Sequence, residues 1–229
     1  MKQQPMQIDP LNSPFPVPWN WILAIQSEHH TPAPKVYYYR SQSLISPDRH
    51  YAAYSRIQLR VLPNMTQNQV SSILFIENLH TGELQPIIAR SPFTDNPFNS
   101  TAIDAPLGTI AILMPVGWSE TGDRMLAREF ESIFGTDIAS DFAVVWNQPS
   151  KQLCTVAPSG ISYTHAVLLG WSQTHRHRVL FRAGHLGEDD WQIWSVDCSG
   201  DTTIAPNDQP IIYGQTHHHI WAGPQADRR

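Results

Sequence analysis

Val116-Gly117-Trp118-Ser119-Glu120-Thr121-Gly122-Asp123-Arg124 runs from an apolar segment into a polar turn. The pattern returns as Leu169-Gly170-Trp171-Ser172-Gln173-Thr174-His175-Arg176-His177. It also occurs, without the tryptophan, as Leu44-Ile45-Ser46-Pro47-Asp48-Arg49-His50. In each copy the turn lies between two apolar runs, as it does between paired strands. A unit met three times is an internal repeat, and a repeat decides the architecture before any single residue does.

Working outward, residues 51–61 alternate: Tyr51, Ala53, Ser55, Ile57, Leu59 and Val61 fall on one side, Arg56, Gln58 and Arg60 on the other. That period belongs to a half-buried strand. Each copy has a second turn, at His80-Thr81-Gly82-Glu83, Gln148-Pro149-Ser150-Lys151 and Cys198-Ser199-Gly200-Asp201, followed by a short closing strand. The expectation is an all-β chain with three four-stranded antiparallel units, at about 36–90, 108–158 and 163–206. A partly docked N-terminal arm (1–35) precedes them and a polar tail (215–229) follows. The distance from lead serine to the residue before the second turn shortens from Ser46–Asn78 to Ser119–Asn147 to Ser172–Asp197, with the change in the middle loop, where length varies at least cost. Each second strand carries one arginine: Arg56, Arg128 and Arg182.

Ser46-Pro47-Asp48, Trp118-Ser119-Glu120-Thr121-Gly122-Asp123 and Trp171-Ser172-Gln173-Thr174 resemble the turns in blades of TolB-like and WD-repeat-like β-propellers. The resemblance covers roughly residues 36–205 and implies a small or incomplete propeller. The chain as a whole also resembles a group of small cyanobacterial proteins. Propellers close with typically four to eight blades. Three blades leave three arrangements: a degenerate fourth blade from both termini, open sheets, or two chains completing one ring. The apolar stretch 18–25 and the short strand Ile211-Ile212-Tyr213 favour the first, since an unpaired edge invites aggregation.

Only 15% of the residues are charged and the formal net charge is −5, which argues against general affinity for nucleic acid phosphates. No segment reads as a leader peptide or approaches a membrane span, so a soluble, cytoplasmic protein is expected. Cys154 and Cys198 read as two separate thiols in a reducing compartment.

Equivalent positions on radially arranged blades form a ring, so Arg56, Arg128 and Arg182 are candidate ligands for a carboxylate or phosphate. The plainer reading pairs each with a neighbour such as Glu77 or Asp141. His175 and His177 would share a face on a strand, and His217-His218-His219 is a short tract; His175, His177, His217 and His219 are the candidate metal ligands, against a reading as ordinary surface imidazoles. Gly187-Glu188-Asp189-Asp190 lacks the alternation of a calcium loop and reads as solvated. There is no Gly-x-Ser-x-Gly elbow and no Gly-rich phosphate loop. No cofactor is expected. The expected function is therefore a non-enzymatic protein-binding or scaffold role, with Phe93, Pro97 and Phe98 as the candidate interface and a homodimer as one assembly. The alternative is anionic-ligand binding or hydrolysis on the blade axis.

Overall fold

The computed structural model describes residues 8–28, 33–88 and 108–226. Among these residues the fold is all-β with one α-helix. The elements, in order, are α1 (Trp19–Glu28), β1 (Lys35–Arg40), β2 (Ser43–Ile45), β3 (Tyr51–Val61), β4 (Gln69–Asn78), β5 (Leu84–Ile88), β6 (Thr109–Trp118), β7 (Arg124–Ile133), β8 (Ala139–Asn147) and β9 (Gln152–Val156). They continue with β10 (His165–Ser172), β11 (Val179–Gly184), β12 (Gln192–Val196), β13 (Thr202–Ile204), β14 (Pro210–Ile211), β15 (Gln215–His217) and β16 (Gly223–Gln225). Between β7, which ends at Ile133, and β8, which starts at Ala139, residues 134–138 form an irregular turn.

The three repeats are three antiparallel meanders, β2-β3-β4-β5, β6-β7-β8-β9 and β10-β11-β12-β13. Each lead strand is interrupted just before its serine. In the first repeat, pairing with β3 breaks between Arg40 in β1 and Leu44 in β2. In β6 the register shifts between Pro115 and Gly117, and in β10 between Leu168 and Gly170. A one-residue bulge bends a strand and increases its twist, so all three lead strands turn at the same place.

Neighbouring repeats meet in a common way. Ser72 and Asp141 stand at matching positions, six before Asn78 and six before Asn147. Ser72 Oγ accepts from the Leu113 amide of the next lead strand at 2.7 Å, and Asp141 Oδ2 accepts from the Leu168 amide at 3.0 Å. The matching position in the third repeat is Trp191, which packs instead into the cluster that holds Trp19, Trp21 and Ile22 of α1. The helix also packs on the first two repeats, with the Trp21 ring 5.3 Å from that of Tyr39 and the Trp19 ring 6.2 Å from that of Phe130. The apolar stretch 18–25 docks, as the sequence indicates, but as a helix.

Apolar burial follows the seams. Leu44, Ala53, Leu74, Trp118, Met125 and Trp146 fill the first with Tyr51 against them, and Trp118 and Trp146 meet edge to face at 6.3 Å. Val116, Leu126, Val145, Leu168, Trp171 and Phe181 fill the second. The third cluster takes residues from the N-terminal segment and all three repeats. Buried aromatic pairs add about 0.5–1.5 kcal/mol beyond area burial.

The segment from Asp208 to His217 crosses all three lead strands. β14 pairs with β10 (Trp171 opposite Ile211), Tyr213 bridges Trp118 of β6, and β15 pairs with β2 (Gln215 opposite Ile45). The segment read from sequence as a polar tail therefore begins inside a sheet, and β16 pairs further on with β1. The close crossing requires glycine: a Cβ on Gly214, at φ +105°, would meet the Ile45 carbonyl oxygen at 2.7 Å.

The cysteines are not separate thiols. Cys154 in β9 and Cys198 in the turn after β12 form a disulfide across the seam between the second and third repeats. The sequence contains only two cysteines and their pairing depends on this seam, which spacing alone does not reveal. Among the described residues, no helix is long and apolar enough to cross a membrane.

Candidate functional site

The three lead turns are built on one plan. The Ser46 amide donates to the Tyr51 carbonyl, that of Ser119 to Arg124, and that of Ser172 to Arg178. Each serine hydroxyl also donates to a carboxylate: Ser46 to Asp48 at 2.5 Å, Ser119 to Asp123 at 2.6 Å and Ser172 to Asp208 at 2.5 Å. The first two carboxylates belong to their own turns. The third turn, Gln173-Thr174-His175-Arg176-His177, has none, and the crossing segment supplies Asp208, which also accepts from the amides of Thr174 and Gln209. Burial raises all three carboxyls, but the serine hydroxyls and backbone amides outweigh it and hold them below the ordinary 3.8.

The turns sit side by side. A Cβ on Gly122 would touch the Asp48 carboxylate, so the first and second turns are in contact. The second and third are joined by Arg124, whose Nη2 donates to the Arg176 carbonyl at 2.7 Å while Nη1 lies 3.0 Å from His177 Nδ1. Its guanidinium lies 5.0 Å from the centre of the Trp171 ring. Between these two turns opens a cleft of about 460 Å³, lined among others by Glu120, Thr121, Arg124, Trp171, Gln173 and Arg176. Glu120 and Arg176 face each other on its rim at 3.9 Å, both well exposed. Among the described residues, the ion contact of Arg124 is the one with Asp123 at 3.9 Å, and burial pulls its guanidinium below the usual arginine range. Trp171 is 4% exposed, and among the described residues its buried Nε1 has no hydrogen-bond acceptor.

Arg56, Arg128 and Arg182 do not converge. Arg56 is exposed on β3 and lines a groove with Tyr38, Gln58 and Phe75. Arg182 is half-buried on β11 opposite Val167 and Ile193. Arg128 is fully buried, with Nε 2.6 Å from Asp141 Oδ1 and Nη1 2.7 Å from Asp9 Oδ2. Nη1 also donates to the Phe15 carbonyl at 2.7 Å. Measured from the first residue of each second strand (Tyr51, Arg124), Arg56 is one place further along than Arg128, and successive strand residues face opposite sides. Burial acts against the Arg128 charge, but Asp141 and Asp9 overcome it and keep the guanidinium protonated. Burial pushes the Asp141 carboxyl up to about 6, against the pull of Arg128 and the Leu168 amide. For Asp9 burial also acts upward, and Arg128 with the amides of Ser13 and Val17 holds it below 3.8.

His175 and His177 lie exposed in the third lead turn, not on a strand. His217 closes β15, and its Nδ1 stands 2.9 Å from His219 Nε2. No contact brings the first pair to the second. Among the described residues, no three histidine, cysteine or acidic side chains are grouped to hold a metal ion. Phe93, Pro97 and Phe98 lie outside the described residues. Sequence reasoning missed the Arg124 contacts and the Asp208 anchor. The missing acid in the third turn was the available signal for Asp208.

Compared with protein-family models, with curated proteins and with solved structures, the chain matches none of them.

Proposed function

We propose that the chain is a non-enzymatic protein-binding or scaffold protein of propeller-like blades, recognising its partner with the lead-turn face. The observation that carries this reading is the shared construction of the three turns: each is fixed by a serine, a backbone amide and a carboxylate, and they stand in contact on a sheet frame. Loops positioned by a rigid frame are where partners are held. The exposed rim of Glu120, Gln173 and Arg176 supplies the polar contacts, and the buried Trp171 lines the cleft beneath it. The repeated bulge, lead serine and four-strand meander support blades of the TolB-like or WD-repeat-like kind. The disulfide supports an oxidising compartment over the cytoplasm as the place of action.

The test is capture from cell extract by immobilised wild-type chain, beside a Glu120→Ala/Gln173→Ala/Arg176→Ala variant and a chain lacking residues 91–107. Loss in the rim variant, at an unchanged melting temperature, supports the proposal. Equal capture by wild type and rim variant overturns it, and loss only on removing 91–107 moves the interface to that segment.

The second reading, anionic-ligand binding, is favoured by Arg124, a half-buried cation on the cleft whose carboxylate contact among the described residues is at 3.9 Å. It requires saturable binding of a small carboxylate or phosphate compound that Arg124→Gln abolishes.

A further inference from the structure

Two imidazole nitrogens on the surface of the first repeat are placed as a chelating pair. His217 Nδ1 and His219 Nε2 are 2.9 Å apart, with ring planes 77° apart and centroids at 4.3 Å. The backbone fixes both residues. His217 pairs opposite Ser43 of β2, and the His219 amide donates to Gln42 Oε1 at 2.9 Å. His218, between them in sequence, is exposed. His217 is exposed and His219 half-buried, so the pair is open to solvent on one side.

The separation is that of the hydrogen bond the two rings share. With metal–nitrogen bonds of about 2.0–2.1 Å, two nitrogens on one ion lie about 2.9 Å apart at a right angle and about 3.4 Å apart at the tetrahedral angle. Either separation is within reach of two rings that turn from their hydrogen bond onto one ion, and a tetragonal centre of nitrogen and oxygen ligands is the geometry of cupric ion. Cupric ion also binds such donors most tightly among the divalent first-row metals. We propose that His217 and His219 form a two-imidazole site for Cu(II), with water in the remaining positions. In the free protein one of the facing nitrogens carries the hydrogen shared between them. On binding, that ring shifts its hydrogen to its other nitrogen, so both lone pairs reach the ion and no net proton is lost. The charged side chains acting on His219 are Arg40 and Glu77, of opposite sign. Arg40 stacks on the Tyr54 ring, its guanidinium 3.9 Å from the ring centre.

The experiment uses the full chain without an affinity tag, titrated with CuCl2 and followed by calorimetry and electron paramagnetic resonance. The expected result is one strongest site with a spectrum of two coordinated imidazoles, weakened at least tenfold in both His217→Ala and His219→Ala. His218→Ala and a His175→Ala/His177→Ala variant should leave it unchanged. The proposal is overturned if the strongest site survives both single variants, if it follows His175 and His177, or if only one imidazole is coordinated. Apo melting temperatures of the variants separate loss of ligand from loss of fold.

Discussion

Asp208 accepts the Ser172 hydroxyl hydrogen at 2.5 Å across 36 residues of chain. It does for the third repeat what Asp48 and Asp123 do inside their own turns. Asp208 is 6% exposed and Ser172 3%. A hydrogen bond to a charged group contributes about 1.5–3 kcal/mol. Asp208→Ala should therefore lower stability by about 2 kcal/mol, and Ser172→Ala should cost little more in its presence. Urea denaturation of the two single variants and the double variant measures the coupling. Additive losses would show that the two residues act independently.

The crossing segment depends on Gly214, where a side chain would strike the Ile45 carbonyl and φ is +105°. Gly214→Ala should cost more than 2 kcal/mol, on the scale of about 1–3 kcal/mol for overpacking plus the left-handed backbone cost. Gly82→Ala is the control, because its φ is +74° but nothing lies near its added Cβ. Melting temperatures should rank wild type, Gly82→Ala, then Gly214→Ala.

Removing Arg128 strands two buried carboxylates. Breaking a buried pair costs about 3–5 kcal/mol, so Arg128→Met should fall in that range or fail to fold, by denaturant unfolding. Arg56→Met, at an exposed position, should stay within about 0.5 kcal/mol.

These contacts mark how far the sequence could be read. The meanders, the lead turns and the Trp118 and Trp171 positions were visible because strand period and turn chemistry are local. Arg128 was visible as an arginine in a strand, but Asp9 stands 119 residues away and no local pattern ties the two. Asp141 was named as a neighbour and is one. The ring of arginines fails on parity: one residue of offset moves Arg56 to the other face. The Cys154–Cys198 bond and the strands β15 and β16 depend on which repeats touch, which follows only from packing.

Stability should respond to acid in two limbs. The folded Asp141 carboxyl titrates at about 6, above its ordinary 3.8, so its contribution grows as pH falls from about 6 to 4. Asp9, Asp48, Asp123 and Asp208 are held below 3.8, so their contribution is present above that value and lost as pH falls further. The melting temperature should pass through a maximum near pH 4–5. Asp141→Asn should lack the rising limb and keep the acid limb.

The Cys154–Cys198 bond joins residues 44 apart, and a loop of that size contributes about 2–4 kcal/mol. Cys154→Ser/Cys198→Ser should melt several degrees lower than wild type and no longer respond to dithiothreitol. An identical melting temperature with and without reductant in the wild type would show that the seam does not depend on the bond.

The segment that crosses β2, β6 and β10 follows all three repeats in chain order. During synthesis the lead strands of every repeat are made before their common partner exists. Until residues 208–217 leave the ribosome, three bare strand ends are exposed together and the third turn lacks its acid. A chain interrupted before that point is therefore incomplete in all three repeats at once, and quality control meets an open form, not a molecule with one missing piece.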